Sequence, residues 1–404
     1  MPKNIKPFTK INKLPNALYA GPIVLGAKNS PFTFPLVNKT IYNEPVINPC
    51  TIKHQKKLIP NAFTPLAGIV YTPQQIRKAY GVDQLTLDGS GITVAVIIAF
   101  SYRNLQRDFN VFCTQFNLPL ITLDIRRMAN NIRTNSGWAL EECLDVQMVH
   151  SIAPRAKIMV VEARSNSFTD LNAAVSYANN NGANIISMSY GANEFSSQNI
   201  YASVYNNNRK CYVASAGDTA ATVEVPSCFA NVLSIGGTTL NLDACGNRIS
   251  ESTWNNGGCG ISRYIAKPTY QNDVSGITTN FRNCCDISLV ANPNTGVYVY
   301  YAGSWYSLGG TSVSAPCMSG ILALANQNRI SNGKILLTTI ANAPNNIMNY
   351  LYQTIYKNNS SYINNFNDIN VGTDGIFVAK TGYDNPTGLG SPKVNIMIPS
   401  LLNI

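Results

Sequence analysis

Hydrophobic residues follow two alternating patterns along most of this 404-residue chain. Short, continuous apolar runs are typical of buried parallel strands, and they alternate with longer segments whose apolar residues recur every three or four positions, as in helices. The alternation predicts crossover units and therefore an α/β fold, with a mainly parallel, twisted sheet and helices on both faces. The predicted strands are ITVAVIIAF, KIMVVEA, ANIISMSYG, CYVASAG and VLSIGG, and the predicted helices include LQRDFNVFCTQF and TDLNAAVSYANN.

The periodic pattern begins near residue 69 and divides the chain into two parts. Residues 1–68 are rich in Pro, Asn and Lys and lack sustained periodicity, so they are predicted to form a leader or a short propeptide-like extension. Residues 69–404 are predicted to form one large domain. This domain opens with YTPQQIRKAYGV, in which Thr72 is the predicted N-cap of a helix and Gly81 its stop.

Composition and charge narrow the classes of protein that remain. Charged residues make up only 12% of the chain, which describes a packed globular protein with a mostly neutral surface. The net charge of +10 is spread without a long Lys/Arg block, so no nucleic-acid partner is expected. No apolar run approaches the ~20 residues of a membrane span. The start of the leader is too interrupted by proline and asparagine to be a convincing signal peptide.

The cysteines give a weaker signal. Ten are present without any C-x-x-C pair, which argues against a zinc ribbon or a thioredoxin-type site. The even count permits disulfides, and the candidates are Cys245 with Cys259 and the adjacent Cys284 and Cys285.

The stretch GGTSVSAP, residues 309–316, carries the clearest candidate chemistry. Its two glycines permit a tight turn, Thr311 or Ser312 can cap a helix that starts there, and Pro316 fits the first turn of that helix. A serine at a helix N-terminus lies where the helix dipole and the free N–H groups favour developing negative charge. Ser312 is therefore either a nucleophile or a capping residue.

A serine nucleophile needs a base, and histidine is scarce in this chain. Only His54 and His150 are present, and neither lies in an H-G-T motif of the kind that accompanies some G-T-S serines. A Ser-His-Asp triad is therefore disfavoured, and another base is required.

Three acidic residues are candidates for work beside Ser312. Glu141 and Asp145 lie four residues apart in GWALEECLDVQMVHSIAP, which is predicted to form a helix with one apolar stripe, so both carboxylates lie on one face. They are either a solvated acidic face or a pair in which one carboxylate takes the serine proton and the other orients it. Asp218 follows a predicted strand in VASAGDTAA, and it is either a turn residue or, when protonated, a donor to an oxyanion.

Taken in order, these motifs resemble the sedolisin, or serine-carboxyl peptidase, family over about residues 71–392. They are GWALEECLDVQ, VASAGD, GGTTL, GGTSVSAP and the closing FNDI with GYDNPTGLGSP. The resemblance implies a subtilisin-like fold with a Ser-Glu-Asp triad, in an enzyme that cuts peptide bonds through an acyl-enzyme at acid pH. It further implies that Ser312 is the nucleophile, Glu141 the general base, Asp145 its partner and Asp218 the acid of the oxyanion hole.

The same resemblance implies one calcium ion, bound near the C-terminus of the peptidase domain. The implied ligands are the carboxylates of Asp368 and Asp384 with carbonyls at Ile369, Lys380 and Gly382. Two carboxylates with carbonyls and water suit a hard cation that takes about 6–8 oxygen ligands. Without the resemblance, these residues would be interpreted as a Gly/Asn-rich loop with two turn aspartates.

Partners and location follow from the same comparison. Protein or peptide substrates are expected, and the chain is expected to act as a monomer. A secretion signal and a long prosegment are usual in the family. A shorter leader without a convincing signal suits packaging in a virion or delivery to an acidic compartment by another route, so the expected location stays open between these and secretion. A catalytically silent relative with a structural or surface role is the alternative to a peptidase.

Overall fold

A computed structural model of the chain describes residues 23–24 and 69–404. Predictions for the remainder of the leader lie outside these residues. The strands are β1 (Ile23–Val24), β2 (Ile69–Tyr71), β3 (Thr93–Ala99), β4 (Asp124–Arg127), β5 (Lys157–Ala163), β6 (Ile185–Met188), β7 (Ala192–Asn193), β8 (Cys211–Ser215), β9 (Glu224–Val225), β10 (Val232–Leu242), β11 (Arg248–Thr253), β12 (Gly260–Ala266), β13 (Phe281–Cys284), β14 (Ile287–Val290), β15 (Thr295–Tyr301), β16 (Ser304–Gly309), β17 (Phe366–Asn367) and β18 (Ser391–Pro392). The α-helices are α1 (Pro73–Ala79), α2 (Leu105–Gln115), α3 (Ser136–Ile152), α4 (Phe168–Asn180), α5 (Thr311–Ser331), α6 (Ile347–Asn349), α7 (Asn359–Asn365) and α8 (Val394–Ser400).

The largest sheet confirms the predicted α/β class. Its strands lie in the order β11, β10, β8, β6, β3, β5 and β4, and β14 also pairs with β10. These pairings are parallel except that of β10 with β11. Strands β3 and β5 are buried along almost their whole length, which explains why their sequences are continuous apolar runs rather than alternating ones.

The first helix, α1, shows how local signals set its boundaries. The Thr72 hydroxyl accepts a hydrogen bond from the Gln75 N–H at 3.3 Å, and the Gln75 side chain accepts one from the Thr72 N–H at 2.9 Å. This reciprocal pair is a capping box. Gly81 follows the helix with a φ of 75°, a left-handed conformation that suits glycine. The predicted cap and stop are both confirmed.

Helix α3 passes through the interior of the domain, and every residue from Gly137 to Ile152 is buried. Helix α5 lies so close that a Cβ on Gly320 would come within 2.7 Å of the Cβ of Ile152. The prediction of a single apolar stripe is wrong in extent, because helices α1, α2 and α5 and strands β3 and β15 all pack against α3. The alternative of a solvated acidic face is also excluded, since Glu141 and Asp145 are both fully buried.

A second, smaller sheet leads the chain into α5. Its strand order is β1, β16, β15 and β2, and β16 ends at Gly309, just before the helix. Strand β1 runs antiparallel to β16 with Ile23 opposite Gly309, whereas β2 runs parallel to β15. Across the described part of the chain, no helix has the length and apolar character needed to cross a membrane.

The cysteines differ from the predicted disulfide candidates. Cys259, Cys284 and Cys285 are free thiols and are buried, whereas Cys245 is disulfide-bonded. The suggested pairings of these residues are therefore wrong. Burial raises the pKa of the Cys284 thiol to about 12, so it is uncharged and packs as a small hydrophobic side chain.

Candidate active site

Ser312 is the second residue of α5, where the chain turns from β16 into the helix. Gly310 makes this turn with a φ of 112°, a conformation that residues with side chains rarely adopt. Ser312 is nearly buried, with 5% of its surface exposed. The first turn of a helix has N–H groups without intrahelical partners and carries the positive end of the helix dipole, so this serine lies where negative charge is stabilised.

Two details of this helix start differ from the prediction. Gly310 is the N-cap, so neither Thr311 nor Ser312 caps the helix. Pro316 lies in the second turn rather than the first, and its missing N–H leaves the Ser312 carbonyl without its usual intrahelical donor. The first turn is tight, since the Val313 N–H bonds to the Gly310 carbonyl at 2.9 Å.

Asp218 lies against this helix start, just after β8. Its Oδ1 accepts two hydrogen bonds from Thr311, one from the backbone N–H at 2.8 Å and one from the hydroxyl at 2.9 Å. Its Oδ2 approaches Gly310 so closely that a Cβ there would lie 2.7 Å away, which is why this position requires glycine. Burial raises the pKa of Asp218, and the bonds from Thr311 oppose that rise. With Oδ1 occupied, Oδ2 is the oxygen that can hold a proton and donate it.

Helix α3 brings Glu141 and Asp145 to the same region from the interior. Burial, followed by the neighbouring Asp145, raises the pKa of Glu141 well above its ordinary value; the Ser312 hydroxyl lowers it and Asp218 raises it further. Both carboxylate oxygens of Glu141 and the Oδ2 of Asp145 have no hydrogen-bond partner among the described residues. The four residues selected from the sequence therefore lie close enough to influence one another. Two adjacent buried carboxyls share a proton more readily than they carry two charges.

His150, on the same helix, lies outside this group. Its Nε2 is 2.7 Å from the Pro119 carbonyl, and its ring packs edge-on against Phe109 with the ring centres 4.8 Å apart. Burial lowers the pKa of His150 to about 4, so it is uncharged at neutral pH. These contacts assign it to the core rather than to proton transfer. His54 lies outside the described residues.

Two residues after β6, one in contact with the carboxyl pair and one within reach of its charge, were not predicted from the sequence. The Ser189 hydroxyl donates a hydrogen bond to Oδ1 of Asp145 at 2.6 Å. Tyr190 is buried, and its hydroxyl has no partner within the described residues. Polar residues at the carboxyl end of a predicted parallel strand are a known signal for sites, and SMSYG carries that signal.

Glu224 is a further carboxyl beside Asp218. Its side chain lies over the backbone of two glycines, so that a Cβ on Gly217 would be 2.6 Å from its carboxyl carbon and a Cβ on Gly191 would be 2.1 Å from Oε2. Burial, and then the charge of Asp218, raise the pKa of Glu224 to about 8. No pattern in the sequence marked this residue, because it lies in an irregular loop and a two-residue strand.

The residues assigned to calcium lie in two neighbouring loops. The Gly382 N–H donates to both carboxylate oxygens of Asp368, at 3.1 Å each, which joins the loops. Neither Asp368 nor Asp384 forms an ion pair with a Lys or Arg in the described part of the chain. No three His, Cys, Asp or Glu side chains of the described residues form a metal-binding group, so carbonyls such as those of Ile369 and Lys380 have to complete the set. Two carboxylates without a cationic partner fit the oxygen chemistry of Ca²⁺.

Comparison with known proteins identifies the family and the fold of the chain. The sequence pattern of the subtilase family matches residues 85–375. Sedolisin from Pseudomonas sp. (strain 101) is 31% identical over 202 residues, which cover 46% of this chain and 31% of that protein. Kumamolisin from Bacillus sp. (strain MN-32) is 27% identical over 361 residues, covering 81% and 62%. Tripeptidyl-peptidase 1 from Dictyostelium discoideum is 26% identical over 368 residues, covering 81% and 58%.

The chain thus spans between 31% and 62% of the length of these curated relatives. The solved structure of Pseudomonas sedolisin, a serine-carboxyl proteinase complexed with two molecules of pseudo-iodotyrostatin, superposes with a TM-score of 0.72. It is 23% identical and covers 83% of this chain and 99% of that one, so it establishes the fold. The chain therefore belongs to the subtilase family, where its relatives place it among the sedolisins with their subtilisin-like fold, as its motifs indicated.

Proposed function

We propose that the chain is a serine-carboxyl peptidase, which hydrolyses peptide bonds in protein or peptide substrates through an acyl-enzyme on Ser312. The observation that carries this proposal is the buried pair of Glu141 and Asp145, three of whose oxygens have no partner among the described residues. Leaving buried polar atoms without hydrogen bonds costs stability, and such a cost is typical of groups that must exchange a proton during a reaction.

In the proposed reaction, Ser312 Oγ attacks the carbonyl carbon of the scissile peptide while its proton passes to Glu141. Asp145 holds Glu141 in place through a shared proton, and protonated Asp218 donates a hydrogen bond to the oxyanion that forms. Glu141 then gives its proton to the leaving amine, and an ester to Ser312 remains. Water, losing a proton to Glu141, cleaves this ester and restores the serine.

The proposed working range is acidic: it opens where the Glu141–Asp145 pair has lost the first of its two protons and closes where Asp218 ionises. Glu141 has to accept a proton, whereas Asp218 has to hold one. An ordinary aspartate loses its proton near pH ~3.9, so the mechanism requires a raised pKa at Asp218. Burial acts on Asp218 in that direction, which supports the proposal.

We also propose that residues 69–404 form the peptidase domain and that Ca²⁺ stabilises its C-terminal loops. Asp368 and Asp384 would hold the ion together with the carbonyls of Ile369, Lys380 and Gly382. Bound there, the ion supplies positive charge that offsets the two carboxylates and ties their loops together.

Replacement of the nucleophile tests the activity. We expect Ser312→Ala to reduce the hydrolysis of quenched peptides at acid pH by at least about a thousandfold, because no acyl-enzyme can form. The matched control is Ser319→Ala on the same helix, whose buried hydroxyl only bonds to the Ala315 carbonyl. Mass spectrometry of the parent during turnover should detect the acylated chain. Undiminished hydrolysis by Ser312→Ala would mean that the nucleophile is a different residue.

A further inference from the structure

Ser189 makes a single, short contact with the proton-exchanging pair. It follows directly after β6, only 1% of its surface is exposed, and its hydroxyl lies 2.6 Å from Oδ1 of the fully buried Asp145. This is the length of a hydrogen bond to a charged or strongly polarised carboxyl group. Apart from the Ser312 hydroxyl, which lowers the pKa of Glu141, it is the sole contact through which a hydroxyl or N–H of the described residues stabilises the charged form of either carboxyl.

The contact makes the two oxygens of Asp145 unequal. Oδ1 is occupied by Ser189, whereas Oδ2 has no hydrogen-bond partner among the described residues, and neither oxygen of Glu141 has one. Glu141 and Asp145 are four residues apart on α3 and therefore neighbours on one helix face. One proton on either carboxyl can satisfy both groups, and Oδ2 is the oxygen of Asp145 that is available to share it.

We infer that Ser189 is a positioning residue for the carboxyl pair: by occupying Oδ1 it directs the shared proton to Oδ2 of Asp145, where it bridges to Glu141. This inference rests on the proposed function and deepens it. The proton count is unchanged, since the pair holds one proton before the attack, holds two after Ser312 gives up its own, and returns to one when the leaving amine departs. Ser189 itself neither gains nor loses a proton.

The electrostatics around the pair fix the direction of the effect. Burial raises the pKa of Asp145 well above its ordinary value, and the hydrogen bond from Ser189 lowers it. The other titratable groups that face the pair are Glu142 on α3, Tyr190 after β6, Asp218 after β8 and Cys317 on α5. None of them carries a positive charge, so none can replace the stabilisation that the Ser189 hydroxyl gives to an anion.

Removal of the hydroxyl should therefore make the pair harder to ionise. In Ser189→Ala, we expect the acid limb of the kcat profile to move up by about one pH unit and kcat at the optimum to fall about tenfold, with KM changed less than twofold. KM should remain close to the parent value because Ser189 contacts Asp145 rather than the substrate. Ser189→Thr keeps a hydroxyl and should retain the parent profile.

Ser187→Ala is the matched control. Ser187 lies two residues earlier on β6, is also buried, and its hydroxyl has no partner in the described part of the chain. We expect its pH profile to equal that of the parent. An acid limb of Ser189→Ala at the parental position, or an equal loss of kcat in Ser187→Ala, would overturn the inference. If Ser189→Ala does not fold, Ser189→Cys has a weaker donor and should show a smaller shift in the same direction.

The ionisation of the pair can also be followed without turnover. Infrared difference spectra of the full chain on a pH step report the carboxyl stretching band, and Asp145→Asn assigns it. The titration of this band should move to higher pH in Ser189→Ala and remain in place in Ser187→Ala. An inactive parent would reject the proposed peptidase while this titration still decides the role of Ser189; an unmoved band would reject that role even in an active enzyme.

Discussion

Asp286 and the pair of Glu141 and Asp145 are all inaccessible to solvent, but their surroundings are opposite. Asp286 accepts hydrogen bonds from Arg282 at 3.1 and 2.6 Å, from the Tyr352 hydroxyl at 2.8 Å and from the Ser234 N–H at 2.8 Å.

The four oxygens of the Glu141–Asp145 pair accept one hydrogen bond of normal geometry, from Ser189, and the Ser312 hydroxyl is the other donor near them. A fully bonded buried carboxylate fixes the structure around it, because any change leaves partners unsatisfied. A buried carboxyl with free oxygens adds little to stability, but it remains available to a proton. The number of donors around a buried acid, taken together with its position beside Ser312, thus separates the structural Asp286 from the pair proposed to react.

The largest effect should come from the reactive pair. We expect Glu141→Gln to lower kcat/KM by about 10²- to 10⁴-fold, because an amide of equal size cannot accept the serine proton. Thermal stability at neutral pH should not fall, since the neutral amide replaces a buried carboxyl and can still donate a hydrogen bond to Asp145. The matched control is Glu142→Gln, the same exchange at the next residue of α3, which should keep most of the activity at acid pH. Equal losses of activity in Glu141→Gln and Glu142→Gln would mean that Glu141 is not the specific proton acceptor.

The structural carboxylate should show the reverse behaviour. We expect Asp286→Ala to lower the free energy of unfolding by about 3–5 kcal/mol, because it leaves the buried Arg282 without its partner. Urea denaturation measures this loss. The double variant Arg282→Met with Asp286→Leu removes both charges and should lose less than the single variant. If the double variant lost more stability than Asp286→Ala, the attraction within the ion pair would outweigh the cost of leaving Arg282 buried without a partner.

This comparison also shows what the sequence could predict. Helix α1 and strands such as β3 could be predicted because their signals are local: a cap at Thr72, a stop at Gly81 and a continuous apolar run. The candidate residues of the site were found because each one follows a strand or begins a helix, or shares a helix face with another acid. The burial of α3 was missed, because its acidic residues are typical of a solvated helix face although every residue from Gly137 to Ile152 is buried.

Contacts between distant segments were beyond the reach of sequence patterns. Thr311 binds Asp218 across 93 positions, and Ser189 binds Asp145 across 44. Such pairs are set by the packing of α5 and α3 against the carboxyl ends of the strands. The capping role predicted for Thr311 failed for the same reason: its hydroxyl bonds to Gly217 and Asp218 instead of to its own helix.

The proposed calcium site provides an intermediate case, in which carboxylates have backbone donors but no cationic partner. We expect a chelator to lower the melting temperature, because an ion bound only by the folded state at about 100 times its Kd contributes ~2.7 kcal/mol. Asp384→Asn should melt lower and lose its response to calcium. The control is Asp374→Asn in the neighbouring loop, where the carboxylate accepts from the Ile376 and Phe377 N–H groups, and it should still respond. If neither calcium nor a chelator changes the melting temperature of the parent, the proposed calcium site is wrong.

Glu142 extends the comparison to a second pair of buried acids. Its pKa is raised well above the ordinary value, first by burial and then by Glu162, whose Oε2 lies 2.8 Å from Arg127 Nε. A raised pKa in the folded state gives stability that is complete below the unfolded value of ~4.3 and is lost as the pH rises from there. We therefore expect the free energy of unfolding to fall between acid and neutral pH.

Glu142→Gln should reduce that fall by up to ~1.4 kcal/mol for each pH unit, since one titrating group is removed. The exposed Asp83→Asn serves as control and should leave the slope unchanged. Urea midpoints measured from pH 4 to 8 decide the matter. A slope that Glu142→Gln does not alter would show that other acids set the pH dependence.

The smallest effect concerns Asp218, which combines both kinds of surroundings: Oδ1 is bonded by Thr311, and Oδ2 is free of donors from the described residues. Its pKa is raised by burial, so the folded enzyme keeps the proton to higher pH than a free aspartate would. Above that pKa the ionised carboxylate repels the oxyanion, which produces an alkaline limb. Asp218→Asn keeps an acceptor for Thr311 and a donor in place of the acid, but does not titrate.

We therefore expect Asp218→Asn to lower kcat by about tenfold or less while it flattens the alkaline limb. Glu224 is the rival source of that limb, because burial and the charge of Asp218 raise its pKa to about 8. Glu224→Gln should leave the limb in place if Asp218 is the acid that donates to the oxyanion. If the alkaline limb disappears in Glu224→Gln and persists in Asp218→Asn, the group that titrates in this limb is Glu224. A parent rate that rises through pH 7 to 8 would contradict an acidic working range limited by Asp218, and a rate that still rises above pH 8 would also contradict a limb set by Glu224.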